Sequence, residues 1–303
     1  MITLTMIIIG TLTCNSLALL SIFHRSWRTM KPKEKIVVVM CIMNACQTIP
    51  YSLELYTTVC DLTPLICNLT ASLICSLTYT TIGYILILSI ERFIAICRPL
   101  RYVQWYQKSY LIIWGIAPFL VGVPLGVVPL MGWGRYAKSR NETSYCGLDV
   151  TSSPENGKSY FLFSMFLVLV LPCVLTTTCY VCIIRDLRMK VNKVMSVYGR
   201  RSTMLLETSK DVRQQYISCF LTGLVYGLSW VPYTVFLLLS MRGQLVPVQV
   251  EYFAIYMSKS ATITSPVVYC LLERQCWNFL AKQLSERLSI KVLPQIKPIP
   301  VDV

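Results

Sequence analysis

The sequence predicts an all-α membrane protein: a bundle of seven transmembrane helices followed by a short amphipathic helix. Three observations carry that class. Only 14% of the 303 residues are charged, where soluble domains carry about 25%. Hydrophobic residues make up 55%, with a mean hydropathy of +0.58. The apolar residues also fall into seven runs, near 1–23, 36–59, 67–91, 110–131, 159–184, 215–240 and 248–272.

Each run is close to the roughly 20 residues that cross the hydrocarbon core as a helix. A helix satisfies its own backbone hydrogen bonds, which lipid cannot do. The first run has a rival reading as a cleaved signal peptide. It lacks a basic leader and a small-residue cleavage pattern and runs too long, so a retained span is expected. Met1 already stands at the edge of that run, which leaves either a very short outer arm or an incomplete N-terminus.

The net charge of +14 raises nucleic-acid binding as a possibility. Its placement points elsewhere. Arg25, Lys33, Arg92, Arg98, Arg185, Lys193, Arg200, Lys210, Arg274 and Lys282 all fall on one set of loops, against Arg135, Lys138, Arg140, Lys158 and Arg242 on the other. Positive charge marks the cytoplasmic side. The expected protein is therefore a multi-pass plasma-membrane protein with its N-terminus outside and its C-terminus inside. The basic face favours anionic lipid and an acidic or polar partner rather than nucleic acid.

Most of the fourteen cysteines lie inside apolar runs, where a reduced thiol is a small buried hydrophobe. Cys60, Cys67 and Cys146 stand on the outer side, where a bridge persists. The seven-span domain extends over 1–288. Within it, residues 273–288 alternate apolar and charged side chains at helical spacing, the pattern of an interfacial helix. Residues 289–303, with three prolines, form a cytoplasmic tail.

Several polar or helix-breaking residues sit where lipid disfavours them, and such residues face the bundle interior. They are Asn15 in the first span, Asn44 in the second, Glu91-Arg92-Phe93 at the inner end of the third, Trp230-Val231-Pro232-Tyr233 in the sixth, and Ser265-Pro266-Val267-Val268-Tyr269 in the seventh. Each has a bland reading when taken alone. Trp anchors interfaces, Pro is common in such helices, and Arg at an inner end reflects topology. Together, in this order and on these sides, they resemble the rhodopsin-like G-protein-coupled receptors over nearly the whole chain.

The resemblance implies roles. Arg92 holds the inactive state and then contacts the G protein. Glu91 pairs with it locally, and Asp211 or Glu207 supplies a lock across helices. Pro232 kinks the sixth span beneath Trp230, the aromatic that rotates under the ligand. Tyr180 and Tyr269 swing inward on activation. There are departures too. Asn44 replaces the usual Asp of the second span, Ser265 replaces the usual Asn of the seventh, and Phe119 rather than Trp114 stands near the height of the usual Trp of the fourth.

Met131-Gly132-Trp133-Gly134-Arg135-Tyr136, followed by Cys146-Gly147-Leu148-Asp149, looks like the second outer loop of opsins, which lids a retinal pocket. On that resemblance Cys146 bridges to Cys67. Asn141-Glu142-Thr143 is a glycosylation sequon on the outer side, at Asn141.

Lys259 then stands in mid-span, seven residues before Pro266. A lysine there costs about 2.5–3.5 kcal/mol on insertion scales. Burial disfavours its charged form, and a neutral amine is the nucleophile that condenses with an aldehyde. The bland reading is a structural lysine paired with an acid. Opsins carry a lysine at this place and spacing, and it binds retinal, as the 11-cis or all-trans isomer. Trp230, Tyr233 and Tyr256 are the expected aromatic walls of the pocket.

Where vertebrate visual opsins carry a Glu counterion, three residues after the outer cysteine, this chain has Thr70. Glu142 and Glu54 are the remaining candidates, and a neutral Schiff base absorbing in the ultraviolet or violet is the expectation. The resemblance thus implies a non-visual opsin. Such a protein is a light-sensing receptor and not an enzyme, with a heterotrimeric G protein and arrestin as partners. Glu273-Arg274-Gln275 resembles the opsin segment that touches the G protein, and no metal site is expected. Two alternatives stand beside it: a retinal photoisomerase of the same fold, and a receptor for a diffusible ligand in which Lys259 is incidental.

Overall fold

The structure, a computed structural model, describes residues 1–23, 30–57, 63–105, 108–138, 145–151, 154–198 and 203–272, with 279, 281 and 282. Among the described residues, six helical stretches are long and apolar enough to cross a membrane: Ile2–Phe23, Pro32–Tyr56, Pro64–Cys97, Trp114–Met131, Glu155–Lys193 and Phe220–Met241. A seventh helix, Val248–Leu272, has the length but is less apolar, because it carries Glu251, Lys259 and a run of Ser and Thr.

In chain order these are α1 (Ile2–Phe23), α2 (Pro32–Cys46) with α3 (Thr48–Thr57), α4 (Pro64–Cys97), then a short α5 (Pro99–Trp105) and α6 (Lys108–Val127). After them come the strands β1 (Tyr136–Lys138) and β2 (Cys146–Leu148), α7 (Pro154–Met165) with α8 (Leu171–Tyr198), α9 (Thr203–Met241) and α10 (Val248–Leu272). Little of the expected interfacial helix at 273–288, and nothing of the tail at 289–303, lies within the described residues.

Prolines set the interruptions. The second span breaks at Gln47, three residues before Pro50, whose ring lacks an N–H and crowds the preceding turn. The helix resumes at once, with the Tyr51 N–H on the Gln47 carbonyl at 3.2 Å. In the fifth span a π-helical turn, Phe166–Val170, joins α7 to α8 just ahead of Pro172. Pro129 leaves the Leu125 carbonyl without a helical donor, and the Tyr160 hydroxyl donates to it at 2.7 Å.

The bundle is polar inside and apolar outside. Asn15, Asn44, Thr80 and Thr81 are fully buried, while Leu120, Ile49 and Leu228 are exposed. That inversion suits lipid, which is as apolar as leucine. α4 and α6 approach each other closely at two glycines. An added methyl at Gly122 would stand 2.4 Å from the Thr80 nitrogen, and one at Gly126 would stand 2.5 Å from that of Ser76. Ser72 uses the approach to donate to the Gly126 carbonyl at 2.9 Å. Phe119 meets Tyr84 of α4 edge-on at 5.8 Å.

Asn15 and Asn44 tie three spans together. Pro266 has no N–H for the Thr262 carbonyl, and Asn15 Nδ2 donates to that oxygen at 3.0 Å. Asn44 Nδ2 donates to Ser265 Oγ at 3.1 Å and to Asn15 Oδ1 at 3.3 Å. The Thr11 and Thr262 hydroxyls share a 2.7 Å hydrogen bond.

β1 and β2 pair antiparallel, with Tyr136 opposite Leu148 and Lys138 opposite Cys146. The Cys67–Cys146 disulfide pins this hairpin to the N-terminal end of α4 across 79 residues of chain. Replacing either cysteine by Ser is expected to lower stability by about 2–4 kcal/mol, since the bridge closes a long loop in the unfolded chain. The thermal unfolding midpoint of the purified protein would fall. Reductant would lower it in the wild type and leave the variants unmoved.

Candidate functional site

Lys259 lies in the middle of α10 and is 3% exposed. The hydroxyls around it fold back onto their own helix. Ser258 donates to the Ile255 carbonyl at 2.8 Å, and Thr262 to the Lys259 carbonyl at 2.9 Å. Neither faces the ammonium. The Lys259 Nζ instead donates to Glu54 Oε2, an ion pair in which Glu54 is 5% exposed.

The break at Gln47 positions Glu54. The turn that restarts there sets Tyr51 and Glu54, three residues apart, on one face of α3 toward α10. The Tyr51 ring centroid stands 4.9 Å from Lys259 Nζ, and the Tyr145 ring centroid stands 5.4 Å from it. Tyr51 donates its hydroxyl to Gln47 Oε1 at 2.9 Å. Tyr145, next to the bridged Cys146, shares a 2.7 Å hydrogen bond with the Tyr233 hydroxyl of α9.

Tyr233 and Trp230, with ring centroids 5.8 Å apart at nearly right angles, line an apolar cavity. Its other walls include Cys75 and Ile82 of α4, Phe161 of α7 and Leu148 of β2. The tyrosine pair Tyr145–Tyr233 stands between this cavity and the lysine. Tyr256, expected from sequence beside Trp230 and Tyr233, is placed elsewhere. It packs with Leu4, Ile7 and Tyr51 and stacks on Tyr252 at 5.8 Å, on the α1 side of Lys259. Thr70 is 2% exposed, and its hydroxyl has no hydrogen-bond partner among the described residues. Glu142 and the sequon residue Asn141 lie outside the described residues.

The C-terminal end of α4 carries a second charged cluster. Arg92 Nη2 donates to Glu91 Oε1 at 2.6 Å, and the Tyr102 hydroxyl donates to the same oxygen at 2.7 Å. Both charged residues are less than 8% exposed. The side chains of Glu207 and Asp211, and all of Arg274, lie outside the described residues. Tyr180 and Tyr269 fall in one buried cluster with Leu88 and Ile183. Tyr180 meets Phe220 of α9 edge-on at 5.1 Å. Pro232 and Pro266 sit inside α9 and α10.

The family model described as 7 transmembrane receptor (rhodopsin family) matches residues 45–269. The chain belongs to that family. Among the relatives of this rhodopsin-family receptor is Melanopsin-A of Gadus morhua, 26% identical over 226 residues, covering 72% of this chain and 40% of the relative. Another is Opsin-3 of Mus musculus, 28% identical over 214 residues, covering 69% of this chain and 51% of the relative. The chain thus spans about half the length of the curated relatives it matches. The crystal structure of squid rhodopsin superposes with a TM-score of 0.77, over 94% of this receptor and 80% of that chain, at 16% identity. That likeness speaks for the fold.

Sequence reasoning offered Glu54 only as one of two candidate counterions for Lys259, beside Glu142, and it missed Tyr51 and Tyr145. The available signals were the spacing Tyr51–Glu54 on one helical face and the place of Tyr145 just before the outer cysteine. Removing one partner of a buried ion pair costs about 3–5 kcal/mol, whereas replacing both by apolar groups is often neutral. Glu54→Leu is therefore expected to destabilise the receptor strongly. The double variant Glu54→Leu/Lys259→Met should regain most of the loss. Thermal unfolding of the single and double variants checks this.

Proposed function

We propose that this receptor is a light sensor that binds retinal as a Schiff base on Lys259 and activates a heterotrimeric G protein. The observation that carries the reading is a primary amine buried at mid-membrane, paired with a carboxylate, and separated by the Tyr145–Tyr233 pair from an apolar cavity walled by Trp230 and Tyr233. The residues fit the group: one nucleophilic amine, one acid to balance a positive charge, and an apolar cavity for a polyene. Retinal supplies light absorption and a change of shape. The chain supplies the rest.

Lys259 is the point of attachment. Its neutral form is the nucleophile, and Glu54, its hydrogen-bond partner, can accept the ammonium proton for the attack and return it to the Lys259 nitrogen in the Schiff base, ending as a carboxylate. Glu54 occupies the role left vacant by Thr70. A carboxylate against the nitrogen favours the charged, visible-absorbing state over the neutral, ultraviolet one expected from sequence alone. Trp230 and Tyr233 lie on α9 beside Pro232, so pressure on the cavity wall acts where that helix is least tied to itself.

At the other end of α4, the Arg92–Glu91–Tyr102 cluster is the group we assign to G-protein contact. In this reading the hairpin faces outside the cell and Arg92 faces the cytoplasm, in keeping with the basic loops on that side. Arrestin is the expected second partner on that face.

Incubation with 11-cis retinal followed by borohydride is expected to label the peptide containing Lys259 and to leave Lys259→Ala unlabelled. The wild-type pigment should absorb in the visible at neutral pH, and Glu54→Gln should move the band to the ultraviolet. Illumination of wild type should accelerate nucleotide exchange on a purified G protein, with Arg92→Ala losing most of that acceleration. An unlabelled peptide sinks the light-sensing assignment.

A further inference from the structure

We infer that Tyr51 and Tyr145 form an aromatic cage for the positive charge at Lys259, sharing with Glu54 the task of holding that charge inside the membrane. An ammonium group has three N–H donors. Here Glu54 is the single hydrogen-bond acceptor of Lys259 among the described residues. The remaining polar surface of the ammonium meets rings instead. The Tyr51 and Tyr145 centroids at 4.9 and 5.4 Å both fall within the range of about 6 Å over which a ring face attracts a cation. The attraction strengthens when water is excluded, and Lys259 is 3% exposed.

The rings are also held. Each tyrosine ties its hydroxyl to a partner away from the lysine, Tyr51 to Gln47 and Tyr145 to Tyr233, so the face and not the hydroxyl is offered to the ammonium. Tyr51 is carried by the span that also carries Glu54. Tyr145 is carried by the lid, one residue from the disulfide. The cage therefore closes only when lid and bundle are assembled. Glu54 is the charged group facing Lys259. Of the remaining titratable neighbours, Cys75 and Tyr226 stand by Tyr51, Tyr233 by Tyr145, and Tyr256 by Glu54. All are of types neutral at pH 7.

The inference rests on the role proposed for Lys259, but its test does not require retinal. The unliganded receptor in lipid nanodiscs is labelled with trace acetic anhydride across a pH series, and acetylation of Lys259 is read by peptide mass spectrometry. Only the neutral amine reacts, so the midpoint reports the charge and not the access of the reagent. A ring face stabilises the charged form, so its loss lets the amine become neutral at lower pH.

The midpoint is expected to fall by roughly one pH unit in Tyr51→Leu and in Tyr145→Leu. It is expected to stay at the wild-type value in Tyr51→Phe and Tyr145→Phe, which keep the ring and lose the hydroxyl. Unmoved leucine variants overturn the cage. Phenylalanine variants that shift as far as the leucine ones also overturn it, because the effect would then belong to the hydroxyls. If Tyr145→Leu fails to fold, the two Tyr51 variants carry the same comparison. A receptor that shows these shifts yet takes up no retinal would lose the light-sensing reading and keep the cage.

Discussion

A lysine and a glutamate facing each other in the middle of a bilayer constrain everything around them. Separately, each would be a charge in hydrocarbon. Together, Lys259 and Glu54 form a pair whose desolvation is offset by mutual attraction only while the geometry holds. The geometry depends on the second span turning its C-terminal half toward α10, and that turn depends on Pro50 interrupting the helix at Gln47. A straight second span would aim the face of Tyr51 and Glu54 in another direction. One proline in one helix thus decides whether the charge in another is accompanied.

The rest of the interior follows the same rule on a smaller scale. Pro266 leaves a carbonyl on α10 without a donor, and Asn15 of α1 supplies one. Asn44 of α2 then holds Asn15 and Ser265. Hydrogen bonds between membrane helices average about 0.6 kcal/mol each, so this network aligns the spans more than it stabilises them. The ion pair is of a different order, because breaking it strands a charge. A chain that places such a pair near an apolar cavity and a strand pair pinned by a disulfide has a site whose main feature is controlled charge.

The two ends of the receptor are connected by the elements that carry its sites. α4 bears the disulfide at one end and Glu91-Arg92 at the other. α9 lines the cavity with Trp230 and Tyr233 and meets Tyr180 through Phe220 lower down. The match to squid rhodopsin at a TM-score of 0.77 with 16% identity shows how little of this packing depends on particular side chains. The motifs that stand out in the sequence are those where the backbone itself is interrupted or a polar group must be satisfied in lipid.

Periodicity, charge asymmetry and single exceptional residues are legible without any structure, because each is a local consequence of living in lipid. Seven apolar runs, the basic face, Lys259, Pro266 and Arg92 are features of that kind. The Cys67–Cys146 bridge was legible only through resemblance. What accompanies Lys259 was legible only as a choice between Glu54 and Glu142, since Glu54 is 205 residues away and its direction depends on how α3 is rotated after the break. The same dependence moved Tyr256 to the α1 side and brought in Tyr51 and the lid residue Tyr145. Sequence by itself determined that a charge would be buried in the last span. Tertiary structure alone decided which acid and which rings accompany it, because side chains far apart in the chain meet only once helix rotation and loop closure are set by packing.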